Sequence, residues 1–174
     1  MNRTAEREET MKSKSTLLVV TNIEESKRFY RDVLGLHVLM DFGTNITLSG
    51  GVCLQSLESW EGLLHLPQGL VSFGGKDAEL YFEEDRFDRF LERLEKLQRV
   101  QYVHPVYEHR WGQRVVRLYD PDMHIIEVGE NLKGVCRRFL DTGMSAEEVA
   151  KRMEVPLSFV KACIGRSRPN QAKS

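Results

Sequence analysis

The sequence lacks long apolar runs, paired cysteines and a large net charge. No apolar run approaches the roughly 18 residues that a membrane-spanning helix requires, and residues 1–14 are polar and carry charges of both signs, unlike a secretory signal. Cys53, Cys136 and Cys163 form no Cys-x-x-Cys pair. This spacing argues against a disulfide framework or a zinc site and predicts reduced thiols in the cytoplasm. The formal net charge of -1 gives no general attraction to nucleic acid or membranes.

What the chain does have is the composition of a globular protein. Of its 174 residues, 41% are hydrophobic and 29% are charged, which suits one soluble domain with a small appendage. Both β-branched runs and amphipathic segments are present, and the predicted fold class is α+β.

The strand and helix pattern occurs twice. Residues 15–57 and residues 78–129 each predict one strand, one helix and three further strands, that is, βαβββ. The first helix follows a cap at Asn22 and ends at Gly35, and the second follows a cap at Asp85. Residues 58–77 are predicted to be an irregular connection.

The remaining segments differ from the repeat. Residues 1–13 and 166–174 are predicted to be disordered, and residues 131–165 predict a helical appendage similar to a helix-turn-helix. A capping box at Ser145 and Glu148 opens its middle helix, and Pro156 opens its last one. That last helix lacks Arg, Asn and Gln, which argues against DNA reading. Its apolar side chains instead suit packing, and we expect a homodimer.

Residues 15–130 resemble the vicinal oxygen chelate superfamily, which includes glyoxalase I, extradiol dioxygenases, fosfomycin-resistance enzymes and bleomycin-binding proteins. The resemblance is carried by Ser26-x-x-Phe29-Tyr30-x-x-x-Leu34-Gly35-Leu36, by Trp111-Gly112-Gln113-Arg114 and by Asp120-Pro121-Asp122-x-His124-x-x-Glu127-Val128. It implies a domain over residues 14–130 in which the two modules form a cup-shaped mixed sheet with the ligand site inside. Alternation along the strands then predicts that Glu79, Tyr81 and Glu127 face the interior.

The resemblance also implies four metal-ligand positions, at Ser15, Gln55, Glu79 and Glu127. Serine is a poor ligand, whereas the other three offer oxygen atoms to a divalent metal such as Mn, Mg, Fe, Ni or Zn. Glu79 and Glu127 are also the candidate catalytic bases. Alternatively, both carboxylates are ordinary strand-end residues paired with an arginine such as Arg114 or Arg117.

Five further residues are candidates for substrate binding: Tyr81, His104, His109, Trp111 and Gln113. The aromatic residues are equally consistent with core packing, and the histidines with solvated strand edges.

Two functions remain open. One is a metal-dependent lyase, isomerase or dioxygenase of the glyoxalase type, acting on a small molecule that chelates the metal through adjacent oxygens. The alternative is a metal-free small-molecule or antibiotic-binding protein of the bleomycin-resistance type.

Overall fold

The computed structural model describes residues 11–164, and within them the predicted α+β class and both βαβββ modules are confirmed. The chain divides into two compact units, Met1–Val71 and Ser72–Ser174. The tails predicted to be disordered lie outside the described residues, apart from residues 11–13, which belong to no helix or strand. None of the helices between residues 11 and 164 has the length and hydropathy that crossing a membrane requires.

The first unit contains one four-stranded sheet. Its elements are β1 (Thr16–Val20), α1 (Ile23–Leu34), β2 (Val38–Asp41), β3 (Asn45–Leu48), β4 (Val52–Ser56) and α2 (Leu57–Leu63). The strand order is β1-β4-β3-β2, with β1 parallel to β4 and the other pairs antiparallel. The Asn22 side chain accepts a hydrogen bond from the Glu25 amide, and α1 ends at Gly35 in the left-handed conformation, as predicted.

Helix α2 corrects the prediction that residues 58–77 are irregular throughout. The helix follows Ser56, which is extended, and carries Glu58 in its first turn. Leu57, Trp60 and Leu64 have helical spacing in the sequence, but the single buried residue of the helix is Glu61, whose carboxylate accepts a hydrogen bond from the Gly69 amide. This short apolar period was a signal of the helix that the prediction missed.

The second unit repeats the topology and adds three helices. Its elements are β5 (Glu79–Glu84), α3 (Phe87–Glu95), β6 (Gln101–Glu108), β7 (Arg114–Tyr119), β8 (Ile125–Glu130), α4 (Leu132–Asp141), α5 (Ala146–Met153) and α6 (Leu157–Ile164). The strand order is β5-β8-β7-β6, with β5 parallel to β8. The Asp85 cap was predicted wrongly: Arg86 stands at the cap of α3 without a capping side chain, and its amide donates to the Glu84 carboxylate.

Helices α4, α5 and α6 share an apolar core of their own. Its fully buried members are Val135, Cys136, Val149, Met153, Val160 and Cys163. The predicted capping box is confirmed, because Ser145 Oγ accepts from the Glu148 amide at 3.3 Å and the Ser145 amide donates to Glu148 Oε2 at 2.7 Å. The appendage is thus a small helical cluster with a hydrophobic interior.

Candidate functional site

A row of four polar side chains crosses the whole sheet of the second unit. His104 pairs with Arg117, Arg117 with Glu127, and Glu127 with Tyr81, each directly opposite on neighbouring strands. Directly opposite residues lie on the same face, so one residue from each of the four strands shares this line. We call these four residues the Arg117 row. Glu79 lies two positions before Tyr81 on β5 and therefore faces the same way.

Arg117 bridges the two carboxylates that the sequence singled out. Its Nε donates to Glu79 Oε2 at 2.8 Å, and its terminal nitrogen forms an ion pair with Glu127 Oε2. The Glu127 side chain is 8% exposed, and no described residue gives that oxygen a well-formed hydrogen bond. Two close carboxylates repel unless a cation lies between them. Here the cation is a guanidinium, as the alternative interpretation of the sequence expected.

His104 is a third partner of the Arg117 side chain. Its Nε2 lies 3.1 Å from an Arg117 terminal nitrogen, and its Nδ1 lies 2.7 Å from the Pro105 carbonyl oxygen. Since arginine only donates, His104 accepts through Nε2 and carries its proton on Nδ1. These two contacts therefore fix the orientation of the His104 ring.

Burial and nearby charges raise the pKa of Glu127 and lower the pKa of His109. Burial raises the pKa of Glu127; Arg117 opposes this shift, Glu79 adds to it, and the net pKa lies above the ordinary value. Burial lowers the pKa of His109, and the positive charge of Arg117 lowers it further. Glu127 is thus a carboxylate tuned towards protonation, and His109 is a ring tuned towards neutrality.

The other predicted binding residues form a second, connected network. Gln113 is buried; its amide nitrogen donates to the Tyr81 hydroxyl at 2.8 Å, and its amide oxygen accepts from the Trp111 indole at 3.1 Å. His109 stacks on Trp111 at 4.1 Å between ring centroids. Gly129 leaves space for this network, since a Cβ there would lie 2.9 Å from the Gln113 amide nitrogen.

A cavity of about 380 Å³ opens beside β6 next to the Arg117 row. Its lining includes His104, Tyr107, His109 and Arg117. Small-molecule sites begin at about 300 Å³ and combine apolar walls with a few polar groups. Tyr107 was not among the predicted residues, although Tyr107, His109 and Trp111 follow each other at the two-residue spacing of one strand face.

Gln55 belongs to the first unit, where its amide already has partners. Its oxygen accepts from Asn45 Nδ2 at 2.7 Å, and its nitrogen donates to Ser59 Oγ at 2.9 Å. Ser15 is exposed and precedes β1. The residues of the second unit therefore form the candidate site.

The contacts of the predicted ligands do not fit the metal that the resemblance implies. Glu79 and Glu127 face Arg117, and the Gln55 oxygen faces Asn45. Within residues 11–164, no group of three or more His, Cys, Asp or Glu side chains is arranged to hold a metal ion. Metal binding by Gln55, Glu79 and Glu127 therefore stays a prediction.

Comparison with known proteins identifies relatives of the double module. Residues 13–133 match a family model described as a glyoxalase-like domain. A solved protein of unknown function from Agrobacterium tumefaciens is 36% identical, with a TM-score of 0.65, over 71% of this chain and 96% of that one. No curated protein matches.

Two more distant structures share the fold. A glyoxalase/bleomycin resistance protein/dioxygenase from Nocardioides is 17% identical, with a TM-score of 0.58, over 70% of this chain and 84% of that one. A lactoylglutathione lyase from Agrobacterium tumefaciens is 22% identical, with a TM-score of 0.55, over 73% of this chain and 96% of that one.

Proposed function

Because the chain belongs to the glyoxalase-like domain family, we propose that it binds a small organic molecule beside the Arg117 row without requiring a metal ion. The observation that carries this proposal is the guanidinium of Arg117 between Glu79 and Glu127. Arginine stays charged at any relevant pH and binds carboxylates through a planar fork. It therefore supplies the positive charge that two facing carboxylates need, in the place where the family's metal would act.

The cavity beside β6 supports a flat ligand with a polar group. His104, Tyr107 and His109 offer ring faces and edges, while Arg117 adds a positively charged group to the lining. The rings of Tyr107 and His109 meet edge to face at 5.1 Å, so this wall is already packed before a ligand arrives. A preformed wall lowers the ordering cost of binding.

The second candidate is an enzyme of the glyoxalase type, a lyase, isomerase or dioxygenase. It is favoured by Glu127, whose buried carboxylate has a raised pKa. A carboxylate with a raised pKa suits a general acid or base. Glu79, which faces the same way, is the second candidate for this role.

A binding screen under metal-free conditions separates the two functions. The purified protein is analysed for bound metal and then screened against small aromatic acids, amines and alcohols by ligand-observed NMR in EDTA. We expect ligands that bind in EDTA and lose at least about tenfold in affinity in His104→Ala, which removes a ring from the cavity. The matched control is His37→Ala, on an exposed residue of the first unit.

Two results would contradict this proposal. One is stoichiometric metal in the purified protein, with ligands that bind only when Mn²⁺, Ni²⁺, Fe²⁺ or Zn²⁺ is returned; this result favours the metal-dependent enzyme. The other is equal loss of affinity in His104→Ala and His37→Ala, which would move the ligand site elsewhere.

A further inference from the structure

Another cavity of the second unit lies away from the Arg117 row. It has a volume of about 920 Å³ and is lined by residues 84–89, at the end of β5 and the start of α3, by residues 130, 131, 133–135, 137 and 138, at the end of β8 and in α4, and by Arg114. We call it the α3–α4 groove. Most of its α4 wall follows residue 133, where the family match ends. The groove is thus built jointly by the family domain and the helical appendage.

The floor of the groove is a neutralised carboxylate. Glu130 is buried, and its oxygens accept from Arg114 at 2.6 Å and from Arg138 at 3.0 Å. Arg114 also donates to Asp88 at 2.8 Å. Arg114 and Arg138 therefore neutralise Glu130 and Asp88. These two carboxylates leave the charge of the other cations of the groove uncompensated.

The α4 wall is held in place against the hairpin between β6 and β7. Arg138 donates to the Gly112 carbonyl at 2.6 Å, and the Phe139 ring packs on Gly112. A Cβ at Gly112 would lie 2.3 Å from the tip of that ring, so glycine is required for this approach. The groove is therefore a preformed feature of the folded unit.

The rim carries an excess of positive charge. Arg86, Arg89, Lys133 and Arg137 line the groove, and among residues 11–164 none of these four side chains forms an ion pair. Altogether six cationic side chains and four carboxylates line the groove. The first turn of α3 adds to this positive potential, because no capping side chain accepts a hydrogen bond from its amides.

We propose that the α3–α4 groove binds a phosphorylated small molecule with at least two phosphate groups. Guanidinium groups donate two parallel hydrogen bonds to phosphate oxygens, and uncapped helix amides donate to the same kind of oxygen. The cations come from two separate segments: one phosphate faces Arg86 and Arg89 at the start of α3, and another faces Lys133 and Arg137 on α4. A cavity of 920 Å³ has room for such a molecule.

Calorimetric titration of the full chain with inorganic tripolyphosphate tests this proposal. We expect saturable binding that weakens by about tenfold for each guanidinium lost, because each one makes charged hydrogen bonds to the ligand. The test variant is Arg86→Gln/Arg137→Gln, which removes one cation from each wall. The matched control is Arg28→Gln/Arg99→Gln, which removes two exposed cations outside the groove. Circular dichroism melts confirm that both variants fold.

Loss of affinity in the groove variant alone supports phosphate binding in the α3–α4 groove. Equal loss in both double variants would indicate general charge attraction and overturn it, as would the absence of binding to the unmodified chain. Citrate, titrated in parallel, tests the ligand class: affinity equal to that of tripolyphosphate would overturn the assignment to phosphate. These results are independent of His104→Ala, so failure here leaves the proposed binding beside the Arg117 row unaffected.

Discussion

Replacing Arg117 by methionine removes the cation of the Arg117 row while keeping an unbranched side chain of similar length. Glu79 and Glu127 then face each other without a positive charge between them. Because Glu127 is already shifted towards protonation by burial, its pKa should rise further in the variant. We therefore expect the variant to be less stable and to become more sensitive to pH.

The magnitude follows from the exposure of the three side chains. Removing one partner of a fully buried pair costs about 3–5 kcal/mol. The side chains of Arg117 and Glu79 are 25% and 36% exposed, so solvent weakens their part of the interaction. We expect a loss of about 2 kcal/mol in the free energy of unfolding at pH 8, or about 6 °C in Tm for a chain of this size.

The pH dependence has a defined sign. A carboxyl group whose folded pKa lies above its unfolded pKa stabilises the protein below the unfolded pKa, and this stability is lost as pH rises through the folded pKa. The destabilisation by Arg117→Met should therefore shrink between pH 8 and pH 5, as Glu127 takes up a proton. Urea unfolding at both pH values measures it.

A suitable control is Arg110→Met, because the Arg110 side chain is 77% exposed and pairs with Glu154 at the surface. This control should change stability by less than about 0.5 kcal/mol. Two results would contradict this role of Arg117: an Arg117→Met variant as stable as the unmodified protein at pH 8, or a loss of stability at pH 5 equal to that at pH 8.

Two further predictions concern the hairpin between β6 and β7. Gly112→Ala should cost about 3 kcal/mol, because the new methyl group meets the Phe139 ring and the backbone φ is +85°; Gly134→Ala, inside α4 with nothing within 4 Å, should instead gain about 0.5–1 kcal/mol in urea unfolding. A Gly112→Ala variant as stable as the unmodified protein would contradict the close approach of Phe139. His109 should titrate below its ordinary pKa of 6.5, owing to burial and the charge of Arg117, and quench Trp111 fluorescence as it becomes charged. A fluorescence midpoint at or above 6.5, or one that persists in His109→Gln, would be inconsistent with this contact.

Local patterns made much of the second sheet predictable. Glu79 and Tyr81 were expected on the opposite face from Leu80 and Phe82, because successive strand side chains alternate. The burial of β5 follows that alternation, with Leu80 and Phe82 less exposed than their neighbours. The same rule placed Glu127 on the opposite face of β8 from Ile126 and Val128, and on that face it meets Arg117.

The central role of Arg117 was not predictable from its own strand. Its partners come from β5, β6 and β8, and only the register between strands brings them opposite one another. Register depends on turns and bulges distributed over the sheet, including irregularities between Tyr102 and His104 and between His104 and Tyr107. The sequence could therefore name an arginine as one alternative, but it could not decide between Arg114 and Arg117.

The contacts of α4 with the hairpin show that the folded unit extends beyond the region that matches the family. A chain shortened to residue 133 would keep the whole region that matches the family, yet it would lose Arg138 and Phe139. Glu130 would retain Arg114 as its cationic partner among the described side chains, and the surface of Gly112 would face water. A buried carboxylate with half of its compensation is costly. For this protein the boundary drawn by similarity is therefore a poor place to cut the gene.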